Sequence, residues 1–256
     1  MAPINTSQPS RCVAFTAAPN FRDLGGYPSD LGGTTRWQRA YRAGSLDRMT
    51  AEDRARLDGL GVATIFDLRT GLERDRHPDP LPSVHLPLVG AFDSGPPLPD
   101  MAAMTEADHG IAFMRDLNLG LIDHAAPAIG HVITAIAAAS PAPLVFHCTA
   151  GKDRTGLIAA LLLEVLGVDR DTVLDDFTLS EQYAGRAEDS HGFAYMIAMG
   201  MAPEAAAGAF GAPRAMMSDV LDALDERHGG AEAYLTGPAQ VGAASIDRLR
   251  AHWLEG

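Results

Sequence analysis

This 256-residue chain predicts an α/β fold, and three observations carry that reading. Residues 50–58 have the pattern of a short helix and lead directly into "GVATIFDLRT", a compact apolar run rich in β-branched side chains. Further on, the apolar run "PLVFHC" passes through a short turn into the helical stretch "TGLIAALLLEVLGV". Apolar residues make up 46% of the chain, enough for a sizeable core, and alternation of strand-like and helical segments builds layered α/β structure.

Each element has a local reason. Thr50 is the N-cap of the first helix, Glu52 and Asp53 lie in its first turn, and Gly59 and Gly61 stop it. The run after it is a buried strand over 62–68. A Pro/Gly-rich loop over 77–99 is interrupted by a strand at 84–89, which Pro87 marks as an edge or a short piece. From about Thr105 the pattern is helical, and Ile122, Ile129, Ile133 and Ile136 recur at core-facing spacing. Pro127 divides this region in two, with Asp123 expected to cap the second helix. A strand then ends at Cys148, and a helix runs from about Thr155 to near Gly167. The acidic stretch 173–183 reads as a solvated helix and its connection. A Met-rich helical region follows at about 183–217, with Met196, Met199, Met201, Met216 and Met217. With no internal repeat and no low-complexity linker, residues 1–256 are expected to form a single domain.

Composition excludes several classes. A net charge of −13 argues against a nucleic-acid binder. The longest apolar candidate, 157–168, is interrupted by Glu164 and falls short of a bilayer span, so no stable membrane insertion is expected. Residues 1–11 lack the features of a secretory signal and read as a loose arm. The cysteines, Cys12 and Cys148, form no disulfide framework, which fits a reducing, cytoplasmic setting. Nine histidines show no metal-ligand spacing such as H-E-x-x-H, so neither metal nor cofactor is expected.

The turn "HCTAGKDRTG" carries the chemistry. A loop leaving the carboxyl end of a buried strand and entering a helix directs backbone N–H groups and the positive end of the helix dipole at one point. Thr149, Ala150, Gly151, Lys152, Thr155 and Gly156 are therefore expected to cradle a phosphate, and Arg154 adds a planar donor fork. Cys148, beside Lys152, Arg154 and a helix N-terminus, is favoured as a thiolate and thus as the nucleophile. Asp153 is the nearest carboxylate for general acid–base work, and Thr155 is placed to donate to the departing sulfur. His147 is expected to hold the loop. Secondary candidates are Asp67 and Arg69 at the end of a strand, and both Asp67 and Asp93 rival Asp153 as the acid. In "NFRDLGGY", Gly25 and Gly26 serve a turn, and Arg22 and Asp23 read as a structural charge pair.

The C-x5-R-T spacing, and the whole of "HCTAGKDRTG", resemble the bacterial branch of the protein tyrosine phosphatases whose loop reads H-C-x-x-G-K-D-R-T-G. "NFRDLGGY" at 20–27, "YRAGSL" at 41–46, "DLR" at 67–69 and "GGAEAYL" at 229–235 also match that branch, in order. The resemblance implies a mostly parallel sheet of about four strands flanked by helices. It further implies a metal-free two-step reaction through a cysteinyl-phosphate, on phosphotyrosine, phosphoserine/threonine or phosphoinositides. The implied partners are a phosphorylated protein or a phosphoinositide, with phosphate or sulfate ion bound at the loop. In similar enzymes the loop lysine accompanies activity on polyanionic lipid head groups, and 183–217 corresponds to a helical lid. Rival readings are a rhodanese-like sulfurtransferase, whose loop lacks the Arg-Thr ending, and a phosphate-recognition module without turnover. A nucleotide P-loop fails because no Ser or Thr follows Lys152.

Overall fold

The computed structural model describes residues 10–89 and 99–256. Its strands are β1 (Arg22–Asp23), β2 (Thr34–Thr35), β3 (Ala40–Ala43), β4 (Thr64–Asp67), β5 (Val84–His85), β6 (Leu144–His147) and β7 (Leu254–Glu255). The central sheet has the order β1-β3-β6-β4-β5. Strands β3, β6, β4 and β5 are parallel, as expected, and β1 adds an antiparallel edge. The β6 strand lies in the middle and is buried along its whole length, which suits a parallel strand covered by helices on both faces. Register aligns Ala43, His147 and Asp67 across β3, β6 and β4. Three chain segments therefore leave the sheet side by side at its carboxyl edge, where open α/β sheets bind ligands.

The helices are α1 (Ala51–Gly59), α2 (Gly71–Arg76), α3 (Ala107–His124), α4 (Ala126–Ala139), α5 (Asp153–Val165), α6 (Arg170–Thr178), α7 (Ser180–Tyr183), α8 (His191–Ala198), α9 (Pro203–Phe210), α10 (Arg214–His228), α11 (Ala231–Thr236) and α12 (Ala243–Trp253). Thr50 caps α1 as its sequence predicts, in a reciprocal capping box with Asp53. Ile129, Ile133 and Ile136 on α4 and Ile122 on α3 are all buried, so one apolar stripe is shared by two helices. Among the described residues no single helix is long and apolar enough to cross a membrane.

Three expectations are corrected. The strand expected at 84–89 shrinks to Val84–His85: the amides of Leu86 and Leu88 still bond to Asp67 O and Leu68 O, but Pro87 between them has no N–H to give. Asp123 does not cap α4. It lies in α3 and pairs with Arg227 at 2.7 Å, while Ala125 occupies the cap position and Pro127 sits in a first turn that needs no donor. Nor is 173–183 a solvated helix, because Val173, Leu174, Asp176, Phe177 and Ser180 are buried and only the other face carries exposed acids.

The Met-rich region divides in the same way. Met201, Met216 and Met217 belong to the core, whereas Tyr195, Ile197 and Met199, on and just after α8, are exposed. Helix α9 docks backbone to backbone on α3: a Cβ on Gly110 would lie 1.9 Å from Ala205 O, and one on Gly208 would lie 2.1 Å from Ala107 O. Glycine at both crossing points is what lets the two axes approach. Gly208→Val is expected to push α9 off α3 and cost about 1–3 kcal/mol. A melting temperature within 1 °C of wild type would show that the contact is not needed.

Candidate active site

The turn between β6 and α5 begins at Cys148, which is buried, and ends at Lys152 in the N-cap position. Gly151 has φ of +67°, and a Cβ there would lie 2.4 Å from Ala43 O, so both conformation and space require glycine. The loop's carbonyls are held from outside. Ser45 N donates to Thr149 O at 2.8 Å, and Asn20 Nδ2 donates to Ala150 O and Gly151 O at 3.0 Å each. Arg42 Nη2 donates to Gly151 O at 2.9 Å and to Lys152 O at 3.4 Å. The amide N–H groups of Thr149, Ala150, Gly151 and Lys152 have no partner among the described residues. A peptide whose carbonyl is fixed on one side presents its N–H on the other, so the loop is a row of preset donors.

Beneath the loop lies a buried charge cluster. Asp176 accepts from Arg22 Nε at 3.1 Å, Arg42 Nη1 at 2.6 Å and the Tyr27 hydroxyl at 2.8 Å. Burial opposes ionisation of Asp176, but the two guanidiniums outweigh it and hold the carboxyl well below the usual carboxylate range. Burial, with Arg22 alongside, draws Arg42 down to about 10, which leaves it charged at neutral pH. Two cations against one carboxylate leave one positive charge in excess under the loop. The charge pair expected between Arg22 and Asp23 is corrected here: Arg22 pairs with Asp176, while Asp23 accepts from the Gly25 and Gln38 amides.

Arg154 forms a fork with Glu73 of α2, Nη1 to Oε2 at 2.6 Å and Nη2 to Oε1 at 2.7 Å. The Thr149 hydroxyl donates to Glu73 Oε1 at 2.6 Å. Burial pushes the Glu73 carboxyl up, but the Arg154 fork outweighs it and keeps the group ionised. The grip takes the Nη1–Nη2 end of the guanidinium and leaves its Nε side for another oxyanion. Lys152 does not reach toward that position. Its Nζ donates to Ala209 O at 2.6 Å and Gly211 O at 2.8 Å, at the end of α9, and lies 3.2 Å from Asp153 Oδ1. Asp153 Oδ1 also accepts from Asn118 Nδ2 of α3 at 3.1 Å. The Thr155 hydroxyl is buried without a partner among the described residues, and Gly156 is packed against Phe177.

Asp67, Arg69 and His147 stand behind the loop and are fully buried. Arg69 bridges Asp67 at 2.7 Å and Asp79 at 2.6 Å, and also donates to Ser45 Oγ and His77 O. His147 Nε2 lies 3.3 Å from Asp79 Oδ2. The carboxylates of Asp67 and Asp79 would suit a metal together with His147, but the Arg69 guanidinium already fills the place of the cation. Burial pushes the Asp67 carboxyl up, but Arg69 outweighs it and holds the group below its ordinary value. Asp93 lies outside the described residues. Residue-by-residue reading of the sequence did not assign Asn20, Arg42, Glu73, Asn118 or Asp176 to this site. The first two lie inside motifs that already stood out, and Glu73 follows "DLR" by four positions; Asn118 and Asp176 carry no local signal.

Because folding keeps Asp176 ionised below its ordinary value of 3.8, its contribution to stability is complete above about pH 5 and is lost as pH falls through and below that value. Asp176→Asn, which leaves two buried cations uncompensated, is expected to cost about 3–5 kcal/mol and to flatten the decline of stability below pH 4. Chemical denaturation from pH 3 to 7 tests both; an unchanged acid slope would contradict the assignment.

Comparisons with known proteins bear on this geometry. The model of the family described as "Tyrosine phosphatase family" matches residues 13–255. A tyrosine-protein phosphatase of Nostoc commune is 35% identical over 207 residues, covering 76% of this chain and 67% of that protein. The triple specificity protein phosphatase PtpB of Mycobacterium tuberculosis is 30% identical over 277 residues, covering 90% and 95%. A Cupriavidus necator protein named as a tyrosine-protein phosphatase is 30% identical over 250 residues, covering 95% and 89%. With the family's pattern running through nearly the whole chain and its signature loop at the carboxyl edge of the sheet, this protein belongs to the tyrosine phosphatase family.

Proposed function

We propose that the chain hydrolyses phosphate monoesters through a cysteinyl-phosphate, with phosphotyrosine as its first substrate class. The observation that carries this reading is the row of outward-held carbonyls at Thr149, Ala150, Gly151 and Lys152, whose peptides turn the N–H groups of Ala150, Gly151, Lys152 and Asp153, with the Nε side of Arg154, toward phosphoryl oxygens. The Cys148 sulfur attacks phosphorus as the bond to the ester oxygen breaks, and Asp153 delivers a proton to that oxygen. Water then attacks phosphorus and gives a proton to Asp153, and the sulfur leaves toward the otherwise unpaired Thr155 hydroxyl. Developing charge on the phosphoryl group is met by preset amides, Arg154 and the excess charge of the Arg22–Arg42–Asp176 cluster. His147, Asp67 and Arg69 support the loop from behind and make no contact with substrate in this scheme. Phosphate or sulfate ion would compete at the same place.

The likeness to a triple-specificity enzyme extends the proposal to phosphoserine and phosphothreonine. Phosphoinositides are less well supported, because the Lys152 ammonium is spent on Ala209 O, Gly211 O and Asp153 and would have to leave them to meet a second phosphate. The whole chain acts as one catalytic domain in this reading. Of 183–217, only α8 has the exposed apolar side chains of a cover over the site. A thiol that must stay reduced fits a cytoplasmic setting.

Hydrolysis of p-nitrophenyl phosphate in chelator is expected for wild type and to be undetectable for Cys148→Ser; surviving activity would remove the covalent step. Asp153→Asn is expected to lower turnover roughly 10²–10⁴-fold on alkyl phosphates and less on good leaving groups. If Asp67→Asn shows that leaving-group dependence instead, the acid has been misassigned.

A further inference from the structure

Outside the phosphate loop, three side chains from separate parts of the chain converge at the rim of the site. Asp47 lies in the loop after β3, His77 at the end of α2 and His191 at the start of α8. One donor atom from each lies within 4.8 Å of the other two. Asp47 Oδ2 is 3.1 Å from His191 Nε2 and 4.0 Å from His77 Nδ1, and the imidazoles are stacked at 3.5 Å between centroids. Ligands on a tetrahedral ion with bonds of about 2.0–2.1 Å stand about 3.3 Å apart, a separation Asp47 and His191 already have, and the stacked His77 ring would turn out of the stack to aim its nitrogen at the same point.

Hydrogen bonding alone accounts for only half of the arrangement. His191 is satisfied by Asp47 on one side and Arg48 Nη2 at 3.3 Å on the other. The His77 ring makes no hydrogen bond among the described residues, yet it faces the same carboxylate oxygen. Asp47 is itself oriented by the Ser45 hydroxyl at 2.6 Å, the outer support that ligating carboxylates need. Arg48 is more than half exposed and has room to swing away. Two imidazoles and one carboxylate with an open fourth position are the donor set of a Zn²⁺-class ion.

We propose that Asp47, His77 and His191 form a binding site for a Zn²⁺-class divalent cation that clamps the start of α8 to α2 at the rim of the phosphate loop. The site is separate from the reaction, and the proposal does not rest on the phosphatase reading. It joins the segment with exposed apolar residues to the helix that carries Glu73, so the ion would fix α8 against the element that orients Arg154.

The test uses the full chain carrying Cys148→Ser, so that the thiol cannot bind the metal, with zinc chloride alone as the probe. Titration calorimetry is expected to give one Zn²⁺ per chain, with an affinity that falls on the order of a hundredfold or more in His191→Ala and in His77→Ala. At a hundredfold excess over Kd the melting temperature of the parent should rise roughly 5–10 °C, and that of either variant should not. Trypsin cleavage after Arg186, an exposed residue just before α8, should be slowed by zinc only in the parent. Circular dichroism confirms that each variant is folded, and the two histidines lie on different elements, so one misfolded variant leaves the other to decide. Absence of binding, or binding that neither substitution weakens, overturns the proposal.

Discussion

One carboxylate sets the position of the loop between Cys148 and Arg154. Asp176 neutralises Arg22 and Arg42 deep in the core, and Arg42 then reaches the Gly151 and Lys152 carbonyls of the loop, while Arg22 bonds to Asn20, which holds those of Ala150 and Gly151. A loop with four consecutive carbonyls gripped has little freedom in its peptide planes, so its amides are fixed before any ligand arrives. Preorganisation of this kind makes donors effective toward developing charge, because nothing has to rotate during the reaction. The arrangement is also fragile, since a buried carboxylate holding two cations cannot be removed without leaving both uncompensated.

A second charge pair acts on the other side of the loop. Glu73 fixes the Arg154 guanidinium with two hydrogen bonds and engages the Thr149 hydroxyl. It lowers the positive charge available to an oxyanion but removes the rotamer freedom of a long side chain, whose loss would otherwise fall on substrate binding. The excess cation in the Arg22–Arg42–Asp176 cluster offsets part of that reduction.

What was legible in the sequence follows from the range of the interactions. The α1 cap, the turn at Gly151, the division before Pro127 and the passage from strand to helix through Cys148 are set by neighbours within a few positions, and all appear in the structure. Asp123 misled because a good capping residue near a proline is only a local preference, and an ion pair with Arg227 took it instead. Asp176 misled for the opposite reason. An acidic run looks solvated until the fold brings two arginines from the chain's beginning against one of its members. His77 and His191 lie so far apart in sequence that no ligand spacing could reveal them.

Lys152 shows how far the loop's chemistry depends on the helical layer. By type and position it reads as a phosphate ligand, yet its ammonium terminates α9 by bonding two carbonyls at that helix's end. Helix α9 is in turn seated on α3 at Gly110 and Gly208, and α3 supplies Asn118, the partner of Asp153. Asp153, the proposed general acid, is thus positioned through a path that starts at two glycines distant from it in sequence, while the loop itself is positioned through β1, β3 and α6. The loop and Asp153 within it have separate supports, so under the proposed reaction a substitution on the α3–α9 side should disturb proton delivery while leaving the loop's carbonyls gripped.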